Sequence, residues 1–193
     1  FMVVDWWAVI FNPSFPYRLA HMVLAALCSA SFFILGVSAI LLLRKATHEF
    51  AKYSFKLALF TLLGLMPLQI LVGDLHGLQV AEHQPTKLAA MEGIWKTDKE
   101  VPLILFAIPD QENETNHWEI AIPKLASLII KHDSQATIEG LDATPKQDRP
   151  HVATVFYSFR VMLAAGFAML FISYLGGFLY VKNKLFDNTA FLK

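Results

Sequence analysis

Two ionisable side chains interrupt stretches that are otherwise apolar. His21 lies within "RLAHMVLAALC", and Arg160 lies within "FYSFRVMLAAGF", where Met162 follows two residues later. A titratable group inside a hydrocarbon-facing segment is costly, which makes each one a candidate for function. An imidazole nitrogen and a thioether sulfur form a known axial set for low-spin haem iron, and the thioether raises the reduction potential relative to two imidazoles. His21 and Met162 can supply that set, and Arg160 can supply a cation for a propionate or the porphyrin edge. A helix turns about 100° per residue, so Arg160 and Met162 do not share a face. A plainer alternative stays open: interfacial His and Arg often only snorkel to water, and Met is common filler in apolar helices.

A second set sits in "EHQPTKLAAMEGIWK", Glu82 to Lys96. Oxidising a quinol takes an apolar slot for the ring, hydrogen-bond partners for its two oxygens and a base to accept protons. Lys87 and Glu92, with Gln84 or His83, offer the polar groups. Leu88, Met91 and Trp95 offer the slot. Lys87 and Glu92 are five apart, about 140° around a regular helix, so they converge only at a helix start or in an irregular segment. Glu92 and Lys96, four apart, are spaced for an ordinary surface ion pair, and that reading stays open as well.

The elements that must position these residues follow from the distribution of hydrophobicity. The chain has 193 residues, of which 55% are hydrophobic and 17% charged, a charge content below the roughly one quarter usual for soluble domains. The apolar residues are concentrated in three runs, Leu19 to Leu43, Phe55 to Val72 and Val155 to Val181. Each is long enough to cross a hydrocarbon core of about 30 Å. Lys56 and Pro67 lie near the two ends of the second run. Residues 1–18, aromatic and Pro-rich, suit an interfacial lead-in. Arg44, Lys45, Lys52 and Lys56 join the first two runs, and Lys182 and Lys184 follow the third. The positive-inside rule puts these on the cytoplasmic side. Residues 73–150 carry thirteen acidic and seven basic side chains and fall on the outer side. His21 and Arg160 both begin spans on that same side.

A loop of this length is functional or disordered more often than a mere connector. This one contains "KLAAMEGIW", "VPLILFAIP" and "WEIAIPKLASLII", each able to bury an apolar face, so it reads as an ordered cap with helix around Thr86 to Trp95 and Pro123 to Lys131. "PDQENET" reads as a polar turn. The single cysteine, Cys28, lies in an apolar run and reads as a packing residue. Zero net charge gives no basic surface for nucleic acid. The chain opens at Phe1 without an initiator Met or a basic n-region and cleavage site, so no signal peptide is expected. Lys193 follows closely on an apolar run, so the chain is expected to be an internal fragment of a longer protein.

The motifs "GDLHGLQVAEHQPTKLAAMEGIW", "LFAIPDQENETN", "FRVMLAAGFAML" and "FPYRLAHMVLAALCSASFFILGVSAILLL" resemble subunit I of the cytochrome bd-type quinol oxidases, collinearly over essentially the whole chain. The short segment between "IPDQENETN" and "FRVM" resembles the short Q-loop branch of that family. The resemblance implies that the long loop binds quinol, with Lys87 and Glu92 taking part in its oxidation; Gln84 stays a substrate-binding candidate on the residues alone. It implies that His21 and Met162 ligate a low-spin haem b with Arg160 next to it. A second haem b and a haem d belong to the complete enzyme, and their ligands have no match here.

The expected architecture is an all-α membrane protein: three transmembrane helices with a large ordered extracytoplasmic loop, a partial helical bundle. Residues 19–72 hold the first two helices, 73–150 the quinol-binding loop, and 151–193 the third helix and a cytoplasmic tail. The expected function is the electron-input part of a respiratory terminal oxidase in the bacterial inner membrane. Ubiquinol or menaquinol, oxidase subunit II, the remaining helices of subunit I and membrane lipid are its partners. The competing expectation is a non-redox membrane scaffold or receptor whose outer loop binds a protein, and a transporter fragment is a third.

Overall fold

A computed structural model of the chain describes residues 4–193; residues 1–3 of the aromatic lead-in lie outside the described residues. The rest of the lead-in begins with a short helix, α1 (Trp6–Ile10), whose first N–H groups are capped by Asp5 Oδ1, 2.9 Å from Trp7 N and 3.2 Å from Ala8 N. Three long helices follow in chain order: α2 (Phe15–Arg44), α3 (Glu49–His83) and, after the loop, α6 (Val152–Val181). All three are long and apolar enough to cross a membrane. The chain ends on α7 (Thr189–Leu192), capped by Asn188.

The long helices run past the apolar stretches that mark them in the sequence. The first begins at Phe15, with Pro16 in its first turn where a missing N–H costs nothing. The second extends from Glu49 to His83, so Gly73 and the residues after it continue the helix rather than start a loop. Pro67 is accommodated inside it. A hydrophobic run marks the part that meets hydrocarbon, whereas the helix continues for as long as its backbone hydrogen bonds do.

The chain divides into two compact units, each described by itself. The first comprises the chain up to Asp74 and Ala165–Lys193. Its core is a stripe on α3, Phe55, Leu59, Leu62 and Met66, packed with Cys28, Leu35 and Leu42 of α2 and with Leu179, Leu185 and Leu192. The 55, 59, 62, 66 spacing is one face of a helix. The opposite faces are also apolar: Val23, Leu27, Phe33, Ile34 and Val37 of α2 all stand exposed. Helices apolar on every side fit lipid as their solvent.

The second unit, Leu75–Ala164, holds most of the loop. It contains α4 (Pro85–Glu92), α5 (Leu125–Lys131) and four strands: β1 (Asp98–Lys99), β2 (Leu103–Asp110), β3 (Thr115–Ile122) and β4 (Thr137–Ile138). β1 pairs antiparallel with β4, and β2 with β3. The loop is thus not purely helical. "VPLILFAIP" and "NHWEIAI" pair as a hairpin, with Phe106 opposite Ile120 and Ile104 opposite Ala121. Register shifts around Phe106 break the alternation that would have marked these strands in the sequence. The polar turn between them is held by Asp110, whose Oδ1 accepts from the backbone N–H groups of Glu112 and Asn113, both at 3.0 Å. The core of the unit joins Ala89, Ala90, Ile94 and Trp95 to Val101, Ala126, Leu141 and Val152.

Candidate functional site

The local sequence fixes where α4 starts and stops. Pro85 occupies its first turn and Gln84 precedes it, half-buried. Gly93 ends it at φ +71°, and the N–H of Ile94 turns back to Ala89 O at 2.8 Å. A left-handed helix end favours glycine, and space is tight as well, because a Cβ on Gly93 would stand 3.3 Å from the Phe156 ring. The helix packs Leu88, Ala89, Ala90 and Glu92 inward and leaves Lys87 exposed. Leu88 and Trp95 are core residues, so of the three side chains expected to form an open slot only Met91 remains half-exposed.

Glu92 is the exceptional member of that inward face. Its carboxylate Oε2 accepts from Arg160 Nη2 at 2.8 Å, and the two side chains are 8% and 14% exposed, so this is a buried pair. Its ionic partner is Arg160, not the Lys96 that spacing favours. Arg160 also donates from Nε to Ile104 O at 2.8 Å and stacks its guanidinium over Phe156, 4.6 Å from the ring centroid. One turn earlier, the Tyr157 hydroxyl donates to Ala107 O at 3.0 Å. Strand β2 is therefore fastened to α6 by two side chains three residues apart. Burial drives the Glu92 carboxyl above the ordinary carboxylate range, and the neighbouring guanidinium opposes that shift without cancelling it.

A third residue, invisible to sequence reasoning, holds the turn after Glu92. Asn116 of β3 donates from Nδ2 to Gly93 O at 2.9 Å and accepts at Oδ1 from Trp95 Nε1 at 2.8 Å. One amide thus satisfies both the carbonyl that closes α4 and the indole buried beneath it. Nothing in the composition of "ENETNHW" marks this Asn among its neighbours.

Elsewhere in the loop, acidic groups are shifted the other way. Asp110 is held well below the usual range, chiefly by its side-chain hydrogen bond from Asn113 at 2.8 Å. Glu114 is also lowered, first by Lys146 at 2.6 Å and then by Arg149 at 3.1 Å.

Met162 lies on α6 two residues beyond Arg160, with about half of its side chain exposed. His21 lies in the other unit, in the second turn of α2 and half-buried, with both ring nitrogens 3.3 Å from Gln69 Nε2 of α3. Its ring rests against Gly73, where a Cβ would stand 3.1 Å from Cε1. The two expected axial ligands thus belong to different units.

Taken one residue at a time, the donor types are those that a haem uses. Arg160 Nη1 is buried without a hydrogen-bond partner, a cationic N–H donor of the kind a propionate takes. The imidazole is seated against a glycine, and the thioether is open on its helix surface.

Comparison with known proteins agrees in one direction. The family model for cytochrome bd terminal oxidase subunit I matches residues 1–193. A cytochrome bd ubiquinol oxidase subunit 1 from Bacillus subtilis is 32% identical over 96% of this chain and 42% of its own length. A cytochrome bd-II ubiquinol oxidase subunit 1 from Escherichia coli is 33% identical over 69% of this chain and 26% of its own. The solved structure of a bd oxidase from Geobacillus thermodenitrificans superposes with a TM-score of 0.82 at 28% identity, over 96% of this chain and 44% of that one. The chain therefore spans less than half the length of each of these relatives.

Proposed function

Because the chain belongs to the cytochrome bd terminal oxidase subunit I family, we propose that it is the quinol-oxidising, electron-input part of a respiratory terminal oxidase. The observation that carries this reading is the buried Glu92–Arg160 pair, a raised carboxyl held at a fixed position in the loop. Quinol oxidation releases two electrons and two protons. Glu92 accepts a proton from a quinol hydroxyl, since burial raises its carboxyl above the ordinary carboxylate range and so makes it a stronger base than a free carboxylate. Lys87, five residues upstream and exposed on a different side of α4 from the buried Glu92, is proposed to donate a hydrogen bond to a quinol oxygen, and Gln84 offers an amide at the helix start. Arg160 orients Glu92, and the hairpin orients Arg160.

His21 and Met162 would hold the iron of the proposed low-spin haem b, and Arg160 would supply a cation for a propionate. Bound, that haem would supply a one-electron acceptor. A second haem b and a haem d are proposed for the complete enzyme. Ubiquinol or menaquinol, subunit II, the remaining helices of subunit I and membrane lipid are the proposed partners. The bacterial inner membrane is the proposed location, with the loop on the periplasmic side. The competing reading as a non-redox scaffold draws on one observation, the exposed apolar side chains Phe106, Ile108, Trp118 and Ile120 of the hairpin.

The assembled oxidase tests the proposal. Glu92→Gln keeps an acceptor for Arg160 and removes the base. Turnover with saturating quinol should drop on the order of 100-fold or more, while the reduced-minus-oxidised low-spin b band persists. Met162→Leu should shift or abolish that band while leaving membrane insertion intact. An unchanged band in Met162→Leu sinks the ligand assignment, and turnover within twofold of the parent in Glu92→Gln sinks the base. A chain with no b band at all is a scaffold.

A further inference from the structure

The turn between α2 and α3, the start of α3, and the end of α6 with the segment after it line a half-open cavity that the proposed redox chemistry does not use. It measures about 380 Å³, and its walls include Lys52, Lys56, Tyr180, Asn183, Phe186 and Asp187. All of these lie in the first compact unit. Lys56 is half-buried, two turns inside a helix built for lipid. Among the described residues no carboxylate stands within ion-pair distance of it. Its ammonium rests instead on two aromatic rings, 5.8 Å from the centroid of Tyr180 and 5.6 Å from that of Phe186. Lys52, one turn earlier, is engaged by Glu49 at 3.0 Å, a pair on the surface that a stronger anion can displace.

A partly desolvated ammonium at the end of a membrane helix is unfavourable unless an anion or water reaches it. Ring faces offset part of that cost but accept none of its three N–H hydrogens. The surroundings reinforce the demand. Residues 44–56 and 182–193 carry seven Lys and Arg side chains against two carboxylates, Glu49 and Asp187. Asp187 lines the same cavity, and among the described residues it makes no ion pair with Lys52 or Lys56, so an anion entering there must outcompete one nearby carboxylate. Tyr180 and Asn183 add hydroxyl and amide donors, and Leu185 and Phe186 make one wall apolar.

We propose that this cavity binds a phosphate-bearing anion, the headgroup of an anionic phospholipid, with Lys56 as its main cation and Lys52 as its second. Basic pockets between membrane helices on the positively charged side take such headgroups. The apolar wall then receives the glycerol end of the acyl chains. This reading is independent of quinol and haem.

The test is lipid binding to the delipidated, assembled oxidase in detergent, read by native mass spectrometry. Phosphatidylglycerol should bind at least about fivefold tighter than phosphatidylcholine, and Lys56→Gln should weaken phosphatidylglycerol about fivefold, the worth of one basic contact near the membrane surface. Lys52→Gln should weaken it less, and Lys56→Arg should hold it within twofold. Lys182→Gln, a lysine outside the cavity whose ammonium rests on Phe178, should leave it unchanged. Equal losses from Lys56→Gln and Lys182→Gln would mean diffuse attraction to positive charge and overturn the site. Displacement of the lipid by millimolar inorganic phosphate would assign the cavity to a free anion and overturn the headgroup.

Discussion

Two glutamates of the loop unit each pair with an arginine, and the two regions around them behave in opposite ways. Glu92, at the end of α4, meets Arg160 while nearly buried, and its carboxyl is raised. Glu114, at the start of β3, meets Arg149 and Lys146 while about a quarter exposed, and its carboxyl is lowered. The arginine is common to both, so it does not set the sign. Desolvation outweighs a single guanidinium when the carboxylate is enclosed, and two cations prevail when water still reaches it. Glu92 thereby holds a proton more tightly than a free carboxyl, as the proposed base requires, whereas Glu114 clamps the 110–115 turn onto the segment after Pro145.

The comparison breaks hardest at Arg160. Arg160→Leu leaves the Glu92 carboxyl enclosed without its cation and deprives Ile104 O of its donor. Removing one partner of a buried pair costs about 3–5 kcal/mol. Thermal unfolding of the assembled oxidase should show that loss. The double variant Glu92→Leu/Arg160→Leu should recover most of it, since both charges are then gone. If the single and double variants unfold alike, the pair is not the source of the effect.

Activity sharpens the same contrast. Where Glu92→Gln suppresses quinol turnover, Glu114→Gln should leave it within about twofold, because Glu114 touches only residues that brace the turn. A comparable loss in both variants would mean that the loop responds as a whole and that Glu92 has no separate role as a base.

A smaller loss is expected at Asn116. Asn116→Ala strips partners from Gly93 O and from the Trp95 indole N–H, at about 1–3 kcal/mol for the groups left unpaired in a buried place. Asn116→Asp keeps an acceptor for Trp95 but sets a carboxylate oxygen against Gly93 O and near Glu119 Oε2, so its cost should be at least as large. A smaller cost for Asp than for Ala, measured by the same unfolding transition, would show that the indole bond outweighs the bond to Gly93.

These features differ in how far the sequence reveals them. The three spans are legible because lipid demands long unbroken apolar runs, although their ends are not, since helical hydrogen bonding continues from Val72 to His83 after the apolar run stops. Helix α4 is legible in its Pro start and Gly stop. Glu92 and Arg160 each stand out, one as a carboxylate in an Ala-rich segment and the other as a lone cation in an apolar helix. Their union spans 68 positions, and local spacing favoured Lys96 instead. The cost of an unpaired Arg160 was the available clue, since such a residue calls for a carboxylate somewhere. Asn116 left no trace, because its role arises only when the hairpin is folded against the end of α4.

The subtlest way to test the contrast is pH. Glu92 has a folded pKa above its unfolded value of 4.5, so the folded state holds the proton more tightly. Its contribution is fully present below that unfolded value and is lost as pH rises through the raised folded one. Glu114 has a folded pKa below the same reference, so its contribution is present above 4.5 and is lost as pH falls through the depressed value. Unfolding midpoints of the parent and of each Gln variant, measured across this range, should therefore diverge in opposite directions: the parent loses ground to Glu92→Gln with rising pH, and to Glu114→Gln with falling pH. Parallel trends for the two variants would mean that enclosure does not decide which carboxylate keeps its proton.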